Sequence, residues 1–294
     1  MMDRAGRLPL LGILLLITML IAAGCGGNNK AGNGNAEPSN APSAEPGNDA
    51  EAGSDTVLSQ ITERDKLIAG VKFDTKLFGL KDPGSGNVEG FDIDIAKAIA
   101  KKLLGDETKL ELKEVTSKTR MPMLNNGEID LIVATMTVTD ERKKEVDFSE
   151  IYFNAGQSLL VKKGSAIRGL DDVTKDTKVV GVKGATSIKN IEDKVEGLRV
   201  QQFENYQEAF NALKAGQGDV LTTDNAILYG MTKQDSNYEV VGGTFTDEPY
   251  GIAIKKGQAD LVTAVNEVIA ELKSSGEYDR IYEKWIGEKP ETKQ

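Results

Sequence analysis

A regular alternation of short apolar runs with amphipathic stretches predicts an α/β fold with mostly parallel sheets, divided into two lobes. Three observations carry this. Apolar runs of strand length recur along the chain, each followed by residues at helical spacing. The alternating region extends over about 240 residues, more than one sheet domain ordinarily holds. Two extended stretches, 152–156 and 246–250, interrupt it without any low-complexity linker, as expected where a chain crosses between lobes and back.

The first two dozen residues read as a leader. Arg4 and Arg7 precede an apolar run over 10–23, and small Ala22, Ala23 and Gly24 lead directly to Cys25, the order of a secretory signal over 1–24. The run is shorter than the roughly 20 residues a spanning helix needs. Cys25 is the sole cysteine of the 294-residue chain, so no intramolecular disulfide can form. Residues 25–56 are rich in Gly, Asn, Ala, Pro, Ser and Glu, a composition that cannot be buried and predicts a disordered tether. As a flexible coil it would reach on the order of 30 Å.

In the body, 67–73 predicts the first strand. A Gly/Pro loop follows, then a helix with Phe91, Ile95, Ile99 and Leu103 on one face. Strands are expected at 110–115 and 130–135, with a short helix between them ending near Asn126 and Gly127. The second half repeats the pattern with strands at 178–183, 198–203 and 219–223 and helices at 186–195 and 205–215. A strand at 251–255 precedes a late helix carrying Leu261, Val262, Val265, Val268, Ile269 and Leu272, with Gly276 as its stop signal. The crossovers divide the body into one lobe of 57–152 plus 250–294 and another of 157–246. Gly84-Ser85-Gly86-Asn87-Val88-Glu89-Gly90 is spaced wrongly for a dinucleotide loop and reads as a surface turn.

The formal charge is −10; the leader holds one Asp and two Arg, so its removal leaves −11. An acidic surface argues against nucleic acid and against adhesion to anionic lipid. Histidine is absent, which removes Ser-His-Asp and Cys-His catalysis and most zinc sites. Neither a metal nor a cofactor is expected.

Open α/β sheets bind ligands at the carboxyl ends of their strands, and three such junctions carry suitable residues. At Thr135-Met136-Thr137-Val138-Thr139-Asp140-Glu141-Arg142, hydroxyls and helix-start amides suit an anion and Arg142 offers a planar fork for a carboxylate. The plainer alternative makes Thr139 an N-cap and Arg142 a solvated charge. At Lys183-Gly184-Ala185-Thr186-Ser187, the glycine permits close approach and Thr186 and Ser187 stand at a helix start, where Thr186 could equally be a mere cap. At Thr222-Thr223-Asp224-Asn225, Asp224 either caps the next helix or turns its carboxylate to an ammonium group. Together the junctions hold what a zwitterionic α-amino acid requires, because each buried charge needs a partner.

These residues carry a resemblance. Gly90-Phe91-Asp92-Ile93-Asp94, Thr137-Val138-Thr139-Asp140-Glu141-Arg142, Phe148-Ser149 with Tyr152, Asp219 with Asp224, and the closing Lys284-Trp285-Ile286-Gly287 resemble the bacterial family 3 amino-acid-binding proteins over about 67–287. The resemblance implies a type II periplasmic-binding-protein-like fold: two α/β lobes joined by a two-strand hinge at 152–156 and 246–250, with the ligand in the cleft. It implies no enzyme activity, a monomer, and partnership with an ABC importer's permease and cytoplasmic ATPase. By position, Arg142 is similar to the family's α-carboxylate ligand and Asp224 to its α-ammonium ligand, with Thr135, Thr137, Thr186 and Ser187 as surrounding donors. Cys25 resembles the lipidated cysteine of a bacterial lipobox, although Ala22 stands where an aliphatic residue is usual, so the implied place is the outer face of the cytoplasmic membrane, held by a lipid anchor.

By the same resemblance, Lys72 stands where the family's side-chain selector sits. Arg120, with Ser117 nearby, looks like a second cationic contact, its alternative being packing or capping of the helix it starts. Lys183 is a third candidate cation. Several cations favour an acidic ligand, with glutamate or aspartate ranked ahead of glutamine. The resemblance also puts Phe73 and Phe78 near the cleft, either as cover for the ligand's aliphatic part or, equally, as core residues. The alternatives are a dehydratase-like enzyme acting on a prephenate-type acid on the same scaffold, and a sensor that presents its closed form to a signalling partner.

Overall fold

The computed structural model describes residues 56–287. The expected leader, Cys25 and the tether up to residue 55 lie outside them. The first sheet has the order β5-β1-β6-β13-β7, built from β1 (Leu67–Val71), β5 (Leu110–Glu114), β6 (Leu131–Ile132), β7 (Val146–Ala155) and β13 (Glu248–Lys255). β1 runs parallel to both its neighbours, with Leu67 opposite Leu110 and Ala69 opposite Leu131. Its apolar residues are covered on both faces, which is why it reads as an unbroken hydrophobic run rather than an alternating one. The second sheet, β10-β9-β11-β8-β12, comprises β8 (Gln157–Lys162), β9 (Val179–Val182), β10 (Gln201–Phe203), β11 (Val220–Asp224) and β12 (Tyr238–Val241). A small sheet of β2 (Asp74–Thr75), β3 (Gly79–Lys81) and β4 (Val88–Glu89) projects from the first lobe.

Helices pack on these sheets: α1 (Val57–Arg64), α2 (Phe91–Leu104), α3 (Arg120–Asn125), α4 (Asp140–Glu145), α8 (Ala259–Ser275) and α9 (Glu277–Trp285) with the first, and α5 (Thr186–Lys194), α6 (Tyr206–Lys214) and α7 (Asn225–Gln234) with the second. The stop signal at Gly276 is borne out, and α6 carries a cap of its own. Asn205 accepts the Glu208 amide at 2.8 Å to cap α6, and Gly276 closes α8 with φ 76°. Leu261, Val265, Val268, Ile269 and Leu272 are the buried stripe of α8. Residues 84–87 form a surface turn, with Asp82 accepting from the Gly84 and Ser85 amides. The turn expected through Gly90 stops there, because Val88–Glu89 pair as β4 and Gly90 is buried at the start of α2.

Several strands differ in their bounds: that expected over 198–203 spans only Gln201–Phe203, and that expected over 251–255 begins at Glu248. The strand expected over 130–135 pairs only at Leu131–Ile132, because Thr135 adopts a left-handed backbone with φ 45° that ends the extended run. The strand expected to end at 223 includes Asp224, which pairs with Gln157.

The chain leaves the first sheet through β7 and returns through β13, and these strands pair antiparallel, Ala155 opposite Glu248 and Tyr250 opposite Phe153. Gly156 lies between β7 and β8. A Cβ there would meet the Thr244 Cβ and the Thr246 carbonyl oxygen, each at 2.7 Å, so the two passes of chain approach too closely for any side chain. Gly156→Ala is expected to destabilise the protein by about 2 kcal/mol through this overpacking. Urea denaturation should show a lower midpoint at unchanged slope; a wild-type midpoint would refute the steric account.

Candidate functional site

The first-lobe wall is built around the end of β6 and the start of α4. Thr139 caps α4, its hydroxyl accepting the Arg142 amide at 3.2 Å. The cap fixes the start of the helix that carries Arg142. Arg142 Nη1 donates to the Thr137 carbonyl at 2.7 Å, and Nη2 donates across the seam to the Gly184 carbonyl at 3.1 Å. The side chain is thus held at the junction of the lobes rather than solvated. Burial lowers its proton affinity, and the Asp224 charge opposes that.

Arg120 is 2 % exposed, with Nη1 donating to the Ala134 carbonyl at 2.6 Å. Lys72 is fully buried, donates to Ser117 Oγ at 2.9 Å, and stands 5.1 Å from the centre of the Tyr206 ring. Burial lowers the Lys72 ammonium to about 8, against the opposing pull of Asp74. The unusual Thr135 backbone is held by Asp92, whose Oδ2 accepts the Thr135 amide at 3.0 Å while Oδ1 accepts the Tyr152 hydroxyl at 2.9 Å.

In the second lobe, Asp224 ends β11. Its side chain makes no cap hydrogen bond to α7. Instead Oδ2 accepts the Tyr250 hydroxyl at 2.6 Å. Burial, and then the nearby Glu248 charge, push its carboxyl up to about 7. Thr186 begins α5, and its hydroxyl donates to Glu248 Oε2 at 2.8 Å. Glu248 also accepts from Asn190 at 2.7 Å and Thr246 at 2.9 Å. Ser187 is buried beside it.

Several candidate residues take other places. Lys183 is ion-paired with Glu204 on the exterior, its side chain 36 % exposed. Phe78 is fully buried in a cluster of rings with Phe91, Phe153 and Tyr250, so it supports the site from beneath. Phe73 is half-buried, with the Lys81 ammonium 5.5 Å from its ring centre.

Among the described residues, four buried side-chain polar atoms have no hydrogen-bond partner: Arg120 Nε, Thr135 Oγ1, Gln157 Oε1 and Ser187 Oγ. Buried polar groups are nearly always paired, so such a group calls for an explanation. Three of the four belong to residues singled out from the sequence.

Tyr206, Tyr250, Asp92, Glu248 and Gln157 escaped the sequence reading as site residues. Asp92 lay in the Gly90-Phe91-Asp92 motif and Tyr250 in the second crossover, which were signals of place without a role. Tyr206 accepts from Thr223 Oγ1 at 3.1 Å and faces Lys72, a cross-lobe pairing that no local pattern announces.

The chain matches the bacterial extracellular solute-binding proteins, family 3, over residues 67–288. It is 56 % identical over 280 residues to the ABC transporter glutamine-binding protein GlnH of Bacillus subtilis (strain 168), covering 95 % of this chain and 97 % of that protein. It is 57 % identical over 246 residues to a glutamine-binding protein of Geobacillus stearothermophilus, covering 84 % and 91 %. Among solved structures it is similar to an ancestral arginine-binding protein bound to glutamine, with TM-score 0.72, 45 % identity, and coverage of 76 % of this chain and 99 % of that one.

The raised carboxyls set a pH dependence. Asp92 and Asp224 both stand at about 7, above the ordinary 3.8, chiefly through burial. Above pH 7 each ionised carboxylate costs stability in full. As pH falls from 7 toward 5 the folded protein takes up protons before the unfolded chain does, and that cost is relieved. Lys72 acts outside this window, its cost being relieved only above about 8. The ligand-free protein should therefore gain urea resistance from pH 7 to pH 5, and Asp224→Asn should flatten the gain; an equal slope in wild type and variant would contradict the assignment.

Proposed function

The chain belongs to family 3 of the bacterial extracellular solute-binding proteins, and on that premise we propose that it captures L-glutamine in the cleft between its lobes and delivers it to an ABC importer. The observation that carries this is the placement of Arg142 and Asp224 on opposite lobes, each within the electrostatic reach of the other. One guanidinium and one carboxylate on facing walls match the two charges of an α-amino acid. The ligand carboxylate goes to Arg142, with Thr135 and Thr137 beside it. The ammonium goes to Asp224.

The side chain goes to Lys72 and Arg120. Of the three cations that favoured an acidic ligand, Lys183 is paired with Glu204 and Arg120 donates to the Ala134 and Thr135 carbonyls. What remains suits one neutral acceptor such as an amide carbonyl better than a second carboxylate. A cationic side chain would meet the buried Lys72 and Arg120. The names of the two relatives at 56 % and 57 % identity support the same ligand and reverse the order in which glutamate and aspartate stood ahead of glutamine.

The mechanism is binding without chemistry. The ligand first meets the Arg142 wall; hinge closure at 152–156 and 246–250 then brings Asp224, Thr186 and Ser187 onto it. Only a ligand touching both lobes can shift the closure equilibrium. Micromolar binding corresponds to about −8 kcal/mol, within reach of a few desolvated charge pairs. In the cell the protein acts as a monomer, anchored by a lipid on Cys25 at the outer face of the membrane, where it meets the permease and its ATPase.

Calorimetry with L-glutamine, L-glutamate, L-aspartate and L-arginine on the full chain tests this. Glutamine should bind tightest, and glutamate binding more tightly than glutamine would restore the acidic reading. Arg142→Ala should weaken glutamine at least about a hundredfold, the scale of losing one partner of a buried charge pair. Glutamine affinity should also fall as pH drops below about 7, where Asp224 takes a proton and ceases to hold an ammonium. A flat profile from pH 8 to 5.5 would remove Asp224 from that role.

A further inference from the structure

The turn joining β2 to β3 belongs to the first lobe but reaches the second. Asp74 Oδ2 accepts the Tyr206 amide at 2.7 Å, placing a carboxylate on the first turn of α6, where the helix dipole favours negative charge. Its other oxygen, Oδ1, accepts the Thr75 hydroxyl at 3.0 Å. Both oxygens of Asp74 are therefore engaged within the protein.

Two further observations mark a fitted surface. Gly230 on α7 has no room for a side chain, since a Cβ there would lie 2.5 Å from the Lys76 carbonyl oxygen of the turn. Leu77, at the tip, is buried in a left-handed backbone with φ 81°, a conformation that a branched residue holds only when its surroundings impose it. The turn is also tied back to the ligand wall: the Leu77 and Phe78 carbonyls accept the Phe91 and Asp92 amides at 2.8 and 3.0 Å, and Asp92 in turn holds Thr135.

We propose that this turn is a latch that docks on α6 and α7 and sets how readily the lobes close, so that Asp74 and Gly230 govern ligand affinity without touching the ligand. The affinity part rests on the closure mechanism proposed above. The latch itself does not, because its test reads the separation of the lobes without any ligand.

The test is a distance measurement between probes on Glu107→Cys and Asp171→Cys, exposed positions in the first and second lobes, in the full chain carrying Cys25→Ser. Without ligand, Asp74→Ala and Gly230→Ala should both move the distribution away from the wild-type separations toward those of an opened cleft. Asp74→Asn should keep the wild-type distribution, because the amide oxygen still accepts from Tyr206. Gly230→Ala separates the latch from a second effect of Asp74, whose charge also favours protonated Lys72. In both opening variants glutamine should bind about tenfold more weakly, mostly through faster dissociation.

Wild-type separations in both Asp74→Ala and Gly230→Ala overturn the latch. Unchanged glutamine affinity in variants that do open overturns its control of binding. Should glutamine not bind the wild type at all, the glutamine reading fails, while the ligand-free separations still decide the latch.

Discussion

The antiparallel ribbon of β7 with β13 positions almost every group of the cleft. Tyr152, on β7, donates to Asp92, which holds the Thr135 backbone in its left-handed turn. Tyr250, on β13, donates to Asp224, and its backbone bridges to Thr137. Glu248, at the start of β13, accepts from Thr186 and Asn190 and so orients the first turns of α5. The ribbon is also the only paired path by which the chain passes between the two large sheets among the described residues. The same two strands thus join the sheets and hold, through their side chains, groups on both walls of the cleft.

Electrostatics imposes the second constraint. Lys72, Arg120, Asp92 and Asp224 are almost wholly excluded from water, and each has its protonation displaced toward the neutral form chiefly by burial. Such charges are tolerable because dipoles compensate them: carbonyls of Ala134 and Thr135 for Arg120, hydroxyls of Tyr152 and Tyr250 for the carboxylates. On the proposed reading, a zwitterion in the cleft would supply stronger partners than these, and its binding would relieve a cost already built into the fold.

Much of the architecture was legible from local pattern. The period of Phe91, Ile95 and Ile99 and the stop at Gly276 are properties of neighbouring residues, and they located α2 and the end of α8. The strand at 130–135 was overextended because Thr135 leaves the extended region for a reason remote in sequence, the Asp92 carboxylate. Asp224 was ambiguous between capping and ligation, since both need a carboxylate at a strand-to-helix junction. Its actual partner, Tyr250, is held opposite it by the ribbon.

The sequence alone determined the α/β class, the approximate bounds of the elements, and the residue types available to a zwitterion, because hydrophobic period, caps and charge type are written in adjacent residues. Tertiary structure decided which of those charges share a cleft. Lys183 faced outward to Glu204, Phe78 went into the core, and Tyr206, Tyr250 and Glu248 joined the site. Those outcomes depend on pairings between residues far apart in the chain, and a buried charge is settled by whichever partner the fold brings within hydrogen-bond reach, not by its neighbours in sequence.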